Sequence, residues 1–169
     1  ADRPRFTLFF RRRLWNPNEK RWMAWERKRG KIEELNRFLL GDDNTTLSLV
    51  VGDAAQLRSA RYIITLDSDS QLSRDVAKKL VATIAHPLNQ AVIDPTINRV
   101  VRGYGLIQPR VTISLTSATS SWFSRLFSGQ AGLDPYTNVV SDVYQDLFAE
   151  GSYVGKGIYD IRAFESVME

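Results

Sequence analysis

Cysteine is absent from the 169 residues and histidine occurs once. Without thiols there is neither a disulfide framework nor a thiolate zinc site, and one imidazole does not readily build a histidine-based nucleophile triad. That histidine, His86, stands before Pro87 at an expected helix end, where a structural or capping role suits it. No apolar stretch approaches the roughly 18 to 20 residues that span a bilayer, and no apolar run of a signal peptide follows the arginine-rich opening. Internal repeats and long low-complexity segments are also missing. The chain is expected to be soluble by itself, with any catalytic burden on carboxylates.

What is present is the balance of a globular protein, 43% hydrophobic and 25% charged residues at the length of one ordinary domain. The net charge of +4 is uneven: residues 1–31 hold eleven of the 23 Lys and Arg against three acids, leaving the remainder at about −4. Clustered cations attract anions over a Debye length, so a diphosphate, an acidic lipid or a nucleic acid is a candidate partner of the first segment.

Phe6, Leu8, Phe9 and Phe10 suggest a strand within Arg5 to Arg12, followed by a turn at Asn16-Pro17-Asn18. Ile32, Leu35 and Leu39 predict a helix from Trp25 to Leu40, with Gly30 near its start and Gly41 at its end. The continuous apolar run Arg61 to Leu66 predicts a central parallel strand buried on both faces. Ser73 is a candidate N-cap for a helix through Val76, Leu80 and Ile84. Gly103 to Leu115 reads as a strand pair or one bent strand. Val140, Val143, Tyr144, Leu147 and Phe148 recur at helical spacing up to Gly151, and Asp160 is placed to cap a last helix. Strands alternating with helices predict an α/β layer.

The sharpest chemical signal is Asp67-Ser68-Asp69 at the end of that apolar run, since open α/β sheets bind ligands at the carboxyl ends of their strands. Carboxylates two apart point to opposite faces of a strand, so both reach one site only if the chain turns at Ser68. Such oxygens suit Mg²⁺ or Mn²⁺, whose shell is completed by phosphate oxygens and water. The plainer alternative is an acidic surface turn. An EF-hand loop is excluded because Leu72 and Lys78 occupy its glycine and glutamate positions.

Arg29, Gly30, Lys31, Leu35 and Asn36 form a second constellation, with cations near a helix start where backbone N–H groups favour anions. Lys31 is a candidate to face a phosphate, with a solvated basic face an equal alternative from spacing alone. Trp15, Trp22 and Trp25 are expected in the core rather than on a sugar-stacking surface. Asp142 and Asp146 fall on the side of their helix away from Val143 and Leu147, which fits a solvated face rather than a general base.

Trp15-Asn16-Pro17, WMAWERKRGKIEELNRFLL from Trp22, YIITLDSDSQL from Tyr62, GYGLIQPRV from Gly103 and SDVYQDLFAEGSYVGKGIYD from Ser141 cover most of the chain. In them it resembles the cyclic β-1,2-glucan synthases, in the inverting glycosyltransferase domain related to processive cellulose-synthase-like enzymes. The resemblance implies a GT-A-like (Rossmann-like) α/β fold, a mostly parallel sheet flanked by helices. It implies UDP-glucose as donor beside Lys31, Asn36, Asp67 and Asp69, with Mg²⁺ or Mn²⁺ at Asp67 and Asp69. Glu150, Gly151, Gly155, Lys156 and Gly157 would line the side of a growing β-1,2-glucan acceptor.

By the same resemblance, residues 1–169 form a single partial glycosyltransferase domain. It would lack the N-terminal nucleotide-binding strands and the C-terminal segment with the general base, be inactive alone, and work with the remaining domains of a parent protein at the cytoplasmic face of a bacterial inner membrane. No nucleic-acid partner is expected. Two rivals stand beside this reading. A haloacid-dehalogenase-type phosphohydrolase also places Asp-x-Asp after an apolar strand, though Gln71 and the long preceding segment count against it. A non-catalytic module could grip nucleic acid or anionic lipid through its basic, Trp-rich opening, where Glu26, Glu33 and Glu34 interrupt the positive face.

Overall fold

The computed structural model describes residues 6–68, 70–109, 147–148, 153 and 155–168. The chain forms two compact units, one of Ala1–Ile107 with Gly157–Glu169 and one of Gln108–Lys156. The elements that follow belong to the first unit. Strand β1 (Leu8–Arg11) pairs antiparallel with β4 (Leu47–Val51), and β2 (Leu14–Asn16) forms a hairpin with β3 (Arg21–Met23). The hairpin turn is closed by the Asn16 side chain, whose Oδ1 accepts from the backbone N–H of Asn18 at 2.9 Å and Glu19 at 3.1 Å.

Helix α1 (Arg27–Leu39) follows, two residues later in its start than expected. It ends at Gly41, whose φ of +105° suits a residue without Cβ. Next come the single turn α2 (Ala54–Leu57), β5 (Tyr62–Thr65) and α3 (Val76–Ala85), which stops ahead of Pro87. His86 is the C-cap residue, its backbone N–H donating to Thr83 O at 3.3 Å, and its Nδ1 accepts from Leu88 N at 3.3 Å in the turn beyond, in keeping with the structural or capping role expected of it. Ser73 is not the N-cap: a turn at Arg74-Asp75 delays the helix, and Asp75 precedes it in left-handed conformation at φ 64°.

The hairpin β6 (Val92–Asp94) and β7 (Arg99–Arg102) leads through Gly103 to the short β8 (Leu106–Ile107). Gly103 has φ +74°, and a Cβ there would lie 2.0 Å from the carbonyl oxygen of Gln90. Gly103→Ala is therefore expected to lower the free energy of unfolding by about 1–3 kcal/mol, read as an earlier denaturant midpoint at unchanged slope. The part of the strand stretch expected from Gly103 to Leu115 that lies beyond Pro109, and the helix expected from Val140 to Gly151 except for Leu147 and Phe148, lie outside the described residues.

The last elements are β9 (Gly157–Asp160) and α4 (Ile161–Met168). Asp160 caps α4 as expected, its Oδ1 accepting from the N–H groups of Arg162 at 3.0 Å and Ala163 at 3.3 Å. β9 lies between β5 and β8 and runs antiparallel to both, so β5 and β8 share a direction without touching as a pair. The expectation of a central parallel strand from Arg61 to Leu66 is corrected among the described residues, where its pairing with β9 is antiparallel. β5 is an edge strand among the described residues and all four of its side chains are half-buried, because β9, with all four residues buried, occupies the centre. The ladders between described strands are likewise antiparallel where a mostly parallel sheet was expected. Leu80 and Ile84 of α3 pack with Ile158, against Tyr62, Ile64, Val76 and Ile107, and this cluster fixes β5 beneath α3.

Candidate functional site

The chain leaves strand geometry as soon as β5 ends. Ser70 N donates to the carbonyl of Asp67 at 3.0 Å, closing a turn through Ser68, the bend required there for two neighbouring carboxylates to face one place. Asp69 lies outside the described residues. The Asp67 carboxylate is 34% exposed and ion-paired with the Lys28 ammonium in the first turn of α1. The basic helix start and the acidic strand end therefore meet in space, and they meet through Lys28.

Lys28 is presented by a firmly anchored helix start. Glu26 and Arg27 take left-handed conformations at φ 51° and 41°, and no side chain caps the helix. In place of a cap, the Glu34 carboxylate, 3% exposed, gathers its surroundings. It accepts from Arg11 Nε at 2.6 Å, Thr46 Oγ1 at 2.6 Å, Thr46 N at 3.0 Å and Trp25 Nε1 at 3.3 Å. The Arg11 guanidinium also lies 5.2 Å from the centre of the Trp25 ring and donates to the Arg27 carbonyl at 3.1 Å. Gly30 is required beneath this arrangement, since a Cβ would come within 2.6 Å of Trp25 O and 2.8 Å of Arg11 Nη2. β1, α1 and the lead into β4 are thus joined at one carboxylate. Burial pushes the Glu34 pKa up, but the hydrogen bonds from Thr46, Arg11 and Trp25 outweigh it and hold the group below its ordinary value.

Asn36 and Lys31 go different ways. Asn36 is fully buried, its Oδ1 accepting from Tyr159 Oη of β9 at 2.8 Å, and its Nδ2 finds no hydrogen-bond partner among the described residues. Lys31 is exposed one helical turn beyond Lys28. Gly157 opens β9 opposite Thr65 and is buried there, while Gly155 and Lys156 belong to the other compact unit and Glu150 and Gly151 lie outside the described residues.

The expectation that the tryptophans are core is overturned for two of the three. Trp15 and Trp22 are 51% and 63% exposed and meet edge to face across the β2–β3 hairpin, which among the described residues has one ladder and no layer against its outer face. Lys28 and Tyr159 were missed. A clue to Lys28 was its spacing, three residues before Lys31 on the same helix face. The link between Tyr159 and Asn36 spans 123 positions and carries no local signal.

Among the described residues no three His, Cys, Asp or Glu side chains gather to hold an ion. Asp67 nonetheless fits a hard divalent cation: it is an accessible oxygen donor that already holds a positive group, and such ions commonly take one or two carboxylates plus phosphate oxygens and water. Also among the described residues, no helix is long and apolar enough to cross a membrane.

No family model matches the sequence. A comparison with known proteins finds 49% identity over 166 residues, 98% of the chain, with cyclic beta-(1,2)-glucan synthase NdvB of Rhizobium meliloti (strain 1021). The chain spans 6% of that protein's length, so it is similar, over nearly all of itself, to one segment of a much longer glucan synthase.

Proposed function

We propose that the chain is the metal-holding part of an inverting glycosyltransferase domain of GT-A type, one that transfers glucose from UDP-glucose to a growing β-1,2-glucan within a larger membrane-associated protein. The observation that carries the reading is the placement of Asp67 in a tight turn at the end of β5, facing a cationic helix start, in a chain 49% identical to a segment of a glucan synthase. A divalent ion held at Asp67 and Asp69 would neutralise the charge that develops on the departing diphosphate. Asp67 orients that charge from the strand end, and Lys28 and Lys31 bring positive potential from the helix. Asn36 supports the site from beneath through Tyr159, tying α1 to β9. In this reading the general base is supplied by another segment of the larger protein, of whose relative the chain spans 6%. Removing divalent ions from the full-length protein with EDTA is expected to abolish UDP-glucose turnover and adding Mn²⁺ to restore it. Turnover at an undiminished rate in EDTA would refute the metal-assisted reading.

A further inference from the structure

We infer that Lys28 is a built-in counter-cation of Asp67, holding the carboxylate while no divalent ion is bound and yielding it when one arrives. The inference rests on the metal-holding role proposed for Asp67. The Lys28 ammonium is bonded to Oδ1 of the same carboxylate that a hard cation would use. Two positive groups on one carboxylate repel, so a divalent ion must displace the ammonium or bind against it. The helix that carries Lys28 cannot simply retreat, because Arg11 holds the Arg27 carbonyl and Glu34 holds Arg11. The side chain, in contrast, has a flexible four-carbon stem, so the displaced ammonium swings while its backbone stays fixed. It then remains on the helix face it shares with Lys31, beside the position of a donor diphosphate. Asp67 is thus kept neutralised in the resting protein, and the ion binds more weakly until phosphate oxygens complete its shell.

The test is Mn²⁺ binding to the full-length protein without nucleotide, with free Mn²⁺ measured by electron paramagnetic resonance. Lys28→Met, which keeps the stem and removes the charge, is expected to tighten the Mn²⁺ Kd about two- to fivefold, the factor an ion pair of this exposure is worth. Lys28→Arg keeps the charge and is expected to retain the wild-type Kd. An unchanged Kd in Lys28→Met, with binding abolished by Asp67→Asn, would overturn the counter-cation role and leave Asp67 as the metal ligand. Mn²⁺ binding that survives Asp67→Asn at wild-type affinity would overturn both.

Discussion

Asp67→Asn in the full-length protein is expected to lower Mn²⁺-dependent glucan formation from UDP-glucose by about 10²–10³-fold, with folding stability changed by no more than about 1 kcal/mol. The two halves of this expectation have separate causes. Asparagine keeps the shape of the side chain and loses the charge that holds the cation, and a cation at a leaving diphosphate contributes several kcal/mol to the transition state. The folded chain is less affected, because Asp67 is one-third exposed and its partner Lys28 is exposed to a similar degree, the regime in which ion pairs contribute about 0–1 kcal/mol. Glucan assays and urea unfolding on the same preparations separate the effects. Wild-type glucan formation in the variant would remove Asp67 from the chemistry.

Glu34→Ala is expected to be the most destabilising single change discussed, at about 3–5 kcal/mol, because it strands a charged partner. Arg11 is 8% exposed at its side chain and would lose its carboxylate, while Thr46 and Trp25 would each lose an acceptor. Glu34→Gln is expected to cost less, since an amide still offers an acceptor oxygen. The same group sets an acid limit. Its pKa is lowered in the folded chain from an ordinary 4.5, so its stabilisation is fully present above that value and is lost as the pH falls through the folded pKa. Urea unfolding at neutral pH and below the ordinary carboxylate range should show wild type losing more stability on acidification than Glu34→Gln. Equal losses would show that Glu34 does not carry this pH dependence.

Local chemistry was legible in the sequence wherever a few neighbouring residues decide the outcome. The apolar spacing of Ile32, Leu35 and Leu39 foretold α1, Pro87 foretold the end of α3, and Asp160 caps α4 with the atoms expected of it. A turn at Ser68 was the condition for Asp67 and Asp69 to serve one site, and the chain turns after Asp67, while Asp69 itself lies outside the described residues. What stayed hidden depends on partners far apart in the chain. Tyr62 pairs with Asp160 and Thr65 with Gly157, about ninety-five positions apart on average, and no period within Tyr62–Thr65 distinguishes an edge from a centre. The cation that meets Asp67 was one of several near the helix start, and only the anchoring of α1 by Arg11 and Glu34 selects Lys28. Trp15 and Trp22 misled because indole rings generally favour interiors, whereas a two-stranded hairpin has no interior to offer.

The insertion of β9 between β5 and β8 orders events as the polypeptide leaves the ribosome. β5 and β8 are synthesised well before the strand that joins them, and each must wait with an unsatisfied backbone edge while residues 108–156 are made. Closure of the sheet, burial of Ile158 under Leu80 and Ile84, and attachment of Tyr159 to Asn36 then come together when four late residues arrive. A ribosome halted before Gly157 would leave nascent α1 without the tyrosine that secures it, exposed to chaperones and to edge-to-edge association.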